Sequence, residues 1–126
     1  MLTEKDYCDY DTCVALIEMG YVGISPIVYK GKGKAIERVS RGLWLTPRVA
    51  KAHEWTLGIH LYSAQKWLRE ERGIIVGIIN NFTTHEFDYY VSTWEEDRCR
   101  GNKYSSYEDA LHRGIKKAIK LLKEEK

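Results

Sequence analysis

The sequence has few of the features that define several large classes of protein. It contains two prolines and three cysteines in 126 residues. Cys8, Cys13 and Cys99 form no C-x-x-C pair, and an odd number argues against a disulfide scaffold or a zinc ribbon. No apolar run approaches the ~20 residues of a membrane span, and the acidic, polar start MLTEKDYCDYD is typical of neither a secretory signal nor a transit peptide. These absences predict reduced thiols, a cytoplasmic location and no membrane partner.

The four histidines lack the spacing of a metal site. His53, His60, His85 and His112 form no H-x-x-x-H or H-E-x-x-H motif, so we expect no metal, and no motif indicates another cofactor. A cysteine nucleophile would need only a histidine nearby in space, but no local pattern supports one. The sequence therefore predicts a protein that is not an enzyme.

What the chain does contain is an ordinary globular composition, 44% hydrophobic and 30% charged. Its length predicts a single domain over residues 1–126, large enough to bury one core. The apolar patterns follow the order helix, hairpin, irregular stretch, helix, hairpin, helix. This order predicts an α+β fold in which an antiparallel sheet of four or five strands carries helices packed on one face.

Three segments have the periodicity and the end signals of helices. DYDTCVALIEMG offers Asp9 or Asp11 as N-cap and Gly20 as its stop. LYSAQKWLREERG carries an apolar stripe and ends at a glycine. SSYEDALHRGIKKAIKLLKEEK is the strongest pattern, with Ser105 and Glu108 as a capping box. We therefore predict one helix in each segment.

The strands are predicted from shorter patterns. YVGISPIVYK and AIERVS flank the turn GKGK, Pro26 restricts the first of them to an edge or an irregular start, and GLWLT is a candidate third strand. IIVGIIN is apolar enough for a central strand, and HEFDYYVSTW alternates like its antiparallel partner. TPRVAKAHEWTLGIH fits either a short helix from Pro47 or an ordered loop, and EEDRCRGNKYS is predicted to be a polar loop.

Charge is unevenly distributed along the chain, although the net charge is only +2. Residues 1–20 carry one Lys and five acids, whereas residues 28–53 carry seven bases and one acid. Patches of one sign can steer anionic partners toward a protein. Two alternatives stay open: the charges are solvated, or the basic segment pairs internally with Asp6, Asp9 and Asp11.

The basic segment centres on GKGK, which lacks the Walker pattern and by itself indicates a hairpin turn. A turn does not explain the density of cations, many of which alternate in sequence and therefore share a face. Trp44 adds an aromatic ring beside them, a composition typical of a site that pairs phosphate and stacks on a base, although core packing would also explain this residue. The predicted ligand-binding residues are Lys32, Lys34, Arg38, Arg41, Trp44 and Arg48.

The stretches MLTEKDYCDYDTCVALIEMG, LYSAQKWLREERGI and SSYEDALHRGIKKAIKLL resemble a family of short uncharacterised proteins from gut Bacteroidales, their mobile elements and their phages. The similarity covers the first 20 residues, residues 60–75 and the last 22, and residues 21–59 depart from it. The matching motifs are helix patterns, so the resemblance implies origin and fold kinship. A phage-type origin favours a binding protein that blocks a host system.

The C-terminal half also resembles the small HicB-type antitoxin domain. A strand pair, a polar loop with glycine and then SSYEDALHRGIKKAIKLL are similar to the hairpin, loop and helix of that domain. The HicB signature loop, with a Pro and an Asp before Gly, is missing here. This likeness concerns the fold and does not transfer function.

Two functional hypotheses follow from the sequence. The first is a phage- or mobile-element-type protein that sequesters a small anionic ligand, such as a nucleotide immune signal, and acts as a homo-oligomer. The alternative is an interaction module, antitoxin-like or an inhibitor, whose basic hairpin and EFDYYVSTW strand bind an acidic host protein. The charge excess is smaller than that of clear nucleic-acid binders, so the sequence argues against a nucleic-acid partner.

Overall fold

The computed structural model describes residues 4–39, 43–93, 97–100 and 103–124. The residues group by their internal contacts into two compact units, Met1–Ser63 and Ala64–Lys126. Both units combine helices with an antiparallel sheet, so the predicted α+β class is confirmed. The expectation that residues 1–126 form a single domain stays a prediction. Within the described ranges, no helix is long and apolar enough to cross a membrane.

The first unit is built from short elements. A 3-10 turn at Glu4–Asp6 precedes helix α1 at Tyr10–Glu18, and helix α2 follows at Pro47–Ala52. The strands are β1 at Ile27–Tyr29, β2 at Ile36–Arg38 and β3 at Thr56–Leu57. They form an antiparallel sheet in the order β2-β1-β3, with Val28 of β1 opposite both Glu37 and Leu57.

Local sequence explains where the helices of the first unit begin and end. Asp9 Oδ1 accepts a hydrogen bond from the Thr12 N–H at 2.9 Å, which satisfies one of the free donors of the first turn of α1. Gly20 follows α1 with φ of 107°, a left-handed conformation that carries no Cβ penalty for glycine. Thr46 caps α2, and Pro47 takes its first position, where a missing N–H costs nothing. Of the two alternatives for this stretch, the short helix from Pro47 is confirmed.

The core of the first unit lies between α1 and the sheet. Leu16 of α1, Ile27 of β1 and Leu57 of β3 are fully buried. All three residues of β1 are buried because this strand has a neighbour on each side. The irregular start predicted from Pro26 is therefore confirmed, since β1 begins directly after it, and the alternative position at a sheet edge is wrong.

The second unit is a longer three-stranded sheet covered by a helix. Helix α3 spans Leu61–Arg72 and begins in the last residues of the first unit. The strands are β4 at Ile74–Asn81, β5 at Glu86–Thr93 and β6 at Asp97–Arg100, in the antiparallel order β4-β5-β6. Helix α4 spans Tyr107–Glu124 and packs on β4 and β5. Its buried face consists of Ala110, Leu111, Gly114, Ile115, Ala118 and Ile119.

Several element predictions need correction. The strands divide between two three-stranded sheets, one in each unit, where the sequence predicted one sheet of four or five strands. The stretch IIVGIIN forms β4 at an edge of its sheet, because β5 occupies the central position. The described residues of GLWLT contribute an isolated bridge from Leu45 to Ser25 and no strand. The predicted polar loop EEDRCRGNKYS contains β6.

The cap of α4 is also shifted by one residue. Ser106 Oγ accepts a hydrogen bond from the Asp109 N–H at 3.1 Å, and the helix begins at Tyr107. The sequence SSYED contains two overlapping S-x-x-acid patterns, Ser105–Glu108 and Ser106–Asp109, and the structure uses the second.

Candidate binding pocket

The cations of the basic hairpin separate into different environments. Lys30 Nζ lies 3.6 Å from Glu37 Oε1 and 5.0 Å from the centroid of the Trp55 ring. Lys32 Nζ lies 4.0 Å from Asp11 Oδ1, with both side chains more than three-quarters exposed. Lys34 is exposed. These lysines therefore lie on the solvent side of the hairpin.

Internal pairing with the acidic N-terminal segment is limited in the described part of the chain. Of the three acids considered as partners, Asp11 approaches a hairpin lysine, whereas Asp9 caps α1. An exposed pair at 4.0 Å contributes little to stability, because water and salt screen it. Internal pairing therefore does not account for the whole basic segment.

A pocket of about 330 Å³ lies beside the hairpin and contains two of the predicted site residues, Arg38 and Trp44. We name it the Arg38 pocket. Arg38 is exposed at the end of β2, and the Trp44 side chain is 57% exposed. The lining residues are Tyr7, Tyr21, Ile24, Ser25, Pro26, Arg38, Trp44, Gly58, His60 and Ser63. No carboxylate occurs among them, so the charge contributed by the described lining is positive.

Backbone hydrogen bonds hold the walls of the Arg38 pocket together. Ser25 and Leu45 exchange both backbone bonds, at 3.0 and 2.9 Å, which places Trp44 opposite the segment before β1. The Val39 N–H donates to the Pro26 carbonyl at 2.8 Å and fixes the end of β2 near the same segment. Arg38 and Trp44 are therefore brought to one pocket by pairing on either side of residues 40–42, which lie outside the described residues.

Tyr7 and His60 bring an aromatic cluster to the lining of the Arg38 pocket. The Tyr7 and His60 rings meet edge to face with centroids 5.2 Å apart, and Tyr62 stacks on His60 at 5.2 Å. The Tyr62 N–H donates to His60 Nδ1 at 3.2 Å. An imidazole whose Nδ1 accepts a hydrogen bond carries its proton on Nε2 in the neutral form. His60 is therefore available as an Nε2–H donor in this tautomer.

Tyr21 is a buried residue of the pocket lining. It is 8% exposed, and its ring lies so close to Gly23 that a Cβ at that position would overlap the phenol. Burial raises the pKa of Tyr21, although a hydrogen bond with Ser63 opposes this effect. The phenol is therefore protonated at neutral pH, with Ser63 as a hydrogen-bond partner in the same lining.

Comparison with known proteins finds no matching family model, curated protein or solved structure. We therefore infer function from the residues of the pocket. Within the described ranges, no group of three or more His, Cys, Asp or Glu residues is arranged to hold a metal ion.

Three of the other predicted site residues, Lys32, Lys34 and Arg48, lie outside the Arg38 pocket. Arg48 lines a second pocket beside α2, and Lys32 and Lys34 are exposed on the hairpin without lining the Arg38 pocket. Arg41 falls outside the described residues. The structure thus brings together Arg38 and Trp44 from the predicted set and adds Tyr7, Tyr21 and His60, which the sequence analysis did not select.

The cysteines of the first unit lie in the core, where a nucleophile has no access to solvent. Cys8 and Cys13 are both 0% exposed. The Cys13 thiol donates to the Cys8 carbonyl at 3.5 Å and accepts from the Ile59 N–H at 3.4 Å. A hydrogen bond with Cys13, together with burial, holds the pKa of Cys8 well above its ordinary value. A protonated, buried thiol is a poor nucleophile.

Proposed function

We propose that this protein is a non-enzymatic binding protein that sequesters a small anionic ligand of the nucleotide type in the Arg38 pocket. The observation that carries the proposal is the convergence of Arg38, Trp44 and His60 on one pocket whose described lining contains no acid. Arginine binds phosphate through two parallel N–H groups, and an aromatic ring stacks on any base. The phosphate and the base of a nucleotide therefore each have a partner of suitable chemistry in Arg38 and Trp44.

The size and polarity of the pocket support a small ligand. Its volume of about 330 Å³ falls at the lower end of the range of small-molecule sites, about 300–1,000 Å³. His60 supplies a neutral Nε2–H donor to the same lining. A mononucleotide or a cyclic nucleotide suits this volume better than a long polyanion does.

A sequestering role agrees with the resemblance to short proteins of phages and mobile elements. Such a protein would lower the free concentration of a host signal, including a nucleotide immune signal, without converting it. Because Trp44 is 57% exposed, a second copy of the chain would complete its enclosure, and we include a homo-oligomer in the proposal.

The proposal is tested by a thermal-shift screen of the purified protein against mono-, di- and cyclic nucleotides. A ligand present at 100 times its dissociation constant stabilises the folded state by about 2.7 kcal/mol, which raises Tm by several degrees in a domain of this size. We expect Arg38→Ala and Trp44→Ala each to remove the shift. Lys34→Ala is the matched control, because it removes a cation of the same hairpin that does not line the pocket. An equal loss of the shift in Arg38→Ala and Lys34→Ala would mean that general charge, and not the pocket, attracts the ligand.

A protein partner is the second candidate function, favoured by exposed apolar side chains in the first unit. Val22, Ile24, Leu43 and Trp44 are all at least half exposed, and apolar patches of this kind often mark interaction sites. The strand of EFDYYVSTW, β5, has a hydrogen-bonded neighbour on each side, so it would meet an acidic protein partner through a face of its sheet and not through an edge. This candidate predicts no nucleotide-induced shift and a partner whose binding is lost on Val22→Asp.

A further inference from the structure

A second pocket in the first unit differs from the Arg38 pocket in its chemistry. It has a volume of about 540 Å³ and lies between the C-terminal end of α1 and helix α2. We name it the Arg48 pocket. Its lining residues are Ile17, Gly20, Tyr21, Val22, Thr46, Pro47, Arg48 and Lys51. The side chains from the α1 side are apolar or aromatic, and those from α2 are polar or basic apart from Pro47.

The apolar wall is open to solvent. Val22 is 74% exposed, although it lies beside Ile17 and Pro47 on the pocket lining. Covering such side chains with an apolar ligand is favourable by roughly 25 cal/mol for each Å² removed from water. The pocket therefore favours a ligand with an apolar body.

The basic rim specifies the charge of the ligand. Arg48 and Lys51 are three residues apart on α2, so they lie on the same side of this helix. Both are exposed, and no described residue forms an ion pair with either. The lining contains no carboxylate. A single anionic group at this rim would meet two cations with no competing acid.

Thr46 adds a neutral donor at the same rim. Its Oγ1 accepts the N-cap hydrogen bond from the Val49 N–H at 3.2 Å. A hydroxyl that accepts one bond keeps its own proton for a second partner. Arg48, Lys51 and Thr46 together form a donor set suited to a carboxylate.

We propose that the Arg48 pocket is a second binding site, which takes an amphipathic carboxylate: an apolar chain of medium length that ends in one carboxyl group. The chain lies against Ile17, Val22 and Pro47, and the carboxylate meets Arg48 and Lys51. The cations of this site, Arg48 and Lys51, do not line the Arg38 pocket. Its ligand needs neither a phosphate nor a base.

The test is isothermal titration of the full chain with decanoate, with butyrate and with decan-1-ol, each below its aggregation concentration. We expect decanoate to bind, butyrate to bind more weakly because it covers less apolar surface, and decan-1-ol to bind more weakly because it lacks the charge. Changing Arg48→Ala and Lys51→Ala together is expected to weaken decanoate binding about tenfold or more, and to leave decan-1-ol binding unchanged.

The matched control is the double variant Lys66→Ala and Arg69→Ala, which removes two exposed cations with the same spacing from α3. It should bind decanoate like the unmodified protein, and so should Arg38→Ala. Val22→Asp, at a position exposed enough to leave folding intact, should abolish decanoate binding. No heat of binding for decanoate, or an equal loss in both double variants, would overturn the proposal without bearing on nucleotide binding in the Arg38 pocket.

Discussion

At the scale of single residues, Tyr29 shows how the first unit accommodates a polar group in its core. Its hydroxyl donates to the Cys8 carbonyl at 2.6 Å, and the residue is 7% exposed. Tyr10 meets the Tyr29 ring edge to face with centroids 5.8 Å apart. Burial is the main cause that raises the pKa of Tyr29. The phenol and the neighbouring Cys8 thiol therefore stay protonated in the folded protein at a pH where the unfolded chain has begun to ionise.

This difference predicts that stability decreases at alkaline pH. Folding raises the pKa values of Cys8, Tyr21 and Tyr29. The stabilisation that these protonated groups give the folded state is therefore complete below their pKa values in the unfolded chain, near 9.0 for cysteine and 10.0 for tyrosine. This stabilisation is lost as the pH rises from the pKa values of the unfolded chain through the higher pKa values of the folded protein. Each group adds a slope of up to about 1.4 kcal/mol per pH unit to the free energy of unfolding.

Urea unfolding of the full chain between pH 7 and 10.5 measures this slope. We expect the free energy of unfolding to be level up to about pH 8 and then to decrease. Cys8→Ala, which lowers stability at every pH by leaving a cavity, should also reduce the slope between pH 8.5 and 10. An unchanged slope in Cys8→Ala would contradict the raised pKa of that thiol.

The candidate site also shows which of its residues could be predicted from the sequence. Arg38 and Trp44 could be selected because cations and an aromatic ring are close in the chain. Tyr7 and His60 could not, because a bridge between residues 53 positions apart brings them together. No local pattern encodes such a contact, and the His60 side chain carries no motif of its own.

At the scale of elements, α4 and its sheet show that close packing decides helix position. A Cβ built on Gly114 would lie 2.5 Å from Val76 Cγ1 and 3.2 Å from Tyr89 Cβ. Val76 is β-branched and nearly fully buried, so it has little freedom to move away. The glycine therefore allows α4 to approach β4 and β5.

Gly114→Ala tests whether the close contact between α4 and the sheet requires glycine. Two opposing effects determine the result. Alanine in a helix interior is favoured over glycine by about 1 kcal/mol, whereas overpacking a filled core costs about 1–3 kcal/mol. The short contact with Val76 makes overpacking the larger effect, so we expect a net loss of about 1 kcal/mol in urea unfolding.

The control is the same substitution in a Val76→Ala background. Removing the two methyl groups of Val76 should relieve the overlap, so that Gly114→Ala becomes neutral or stabilising there. If Gly114→Ala costs the same in both backgrounds, the contact with Val76 does not limit the approach of the helix.

The elements also show which parts of the fold the sequence determines locally. Caps such as Asp9 and Thr46–Pro47 act within one helical turn, so the helix ends could be predicted to within a residue or two. The pairing of strands depends on distant segments. The two-residue strand β3 and the edge position of β4 therefore could not be predicted from the apolar pattern of each strand.

At the scale of the whole molecule, the cations of the basic segment, residues 28–53, lie in several different environments. The sequence predicts that six residues of this segment form one ligand site: Lys32, Lys34, Arg38, Arg41, Trp44 and Arg48. The structure places Lys30 and Lys32 near acids, Arg38 in one pocket and Arg48 in another. The cations of this segment all belong to the first unit, as their closeness in the sequence implies. They do not share one site, because β2 carries Arg38 to one pocket and α2 carries Arg48 to another.

The central claim is that Arg38 pairs with the phosphate of a nucleotide in its pocket. The most direct measurement is isothermal titration of the unmodified protein and of Arg38→Ala with two ligands, the nucleotide that gives the largest thermal shift and the corresponding nucleoside. If Arg38 meets the phosphate, its removal weakens nucleotide binding by about tenfold or more and leaves nucleoside binding unchanged. Equal weakening of both ligands, or no effect on the nucleotide, would contradict the claim.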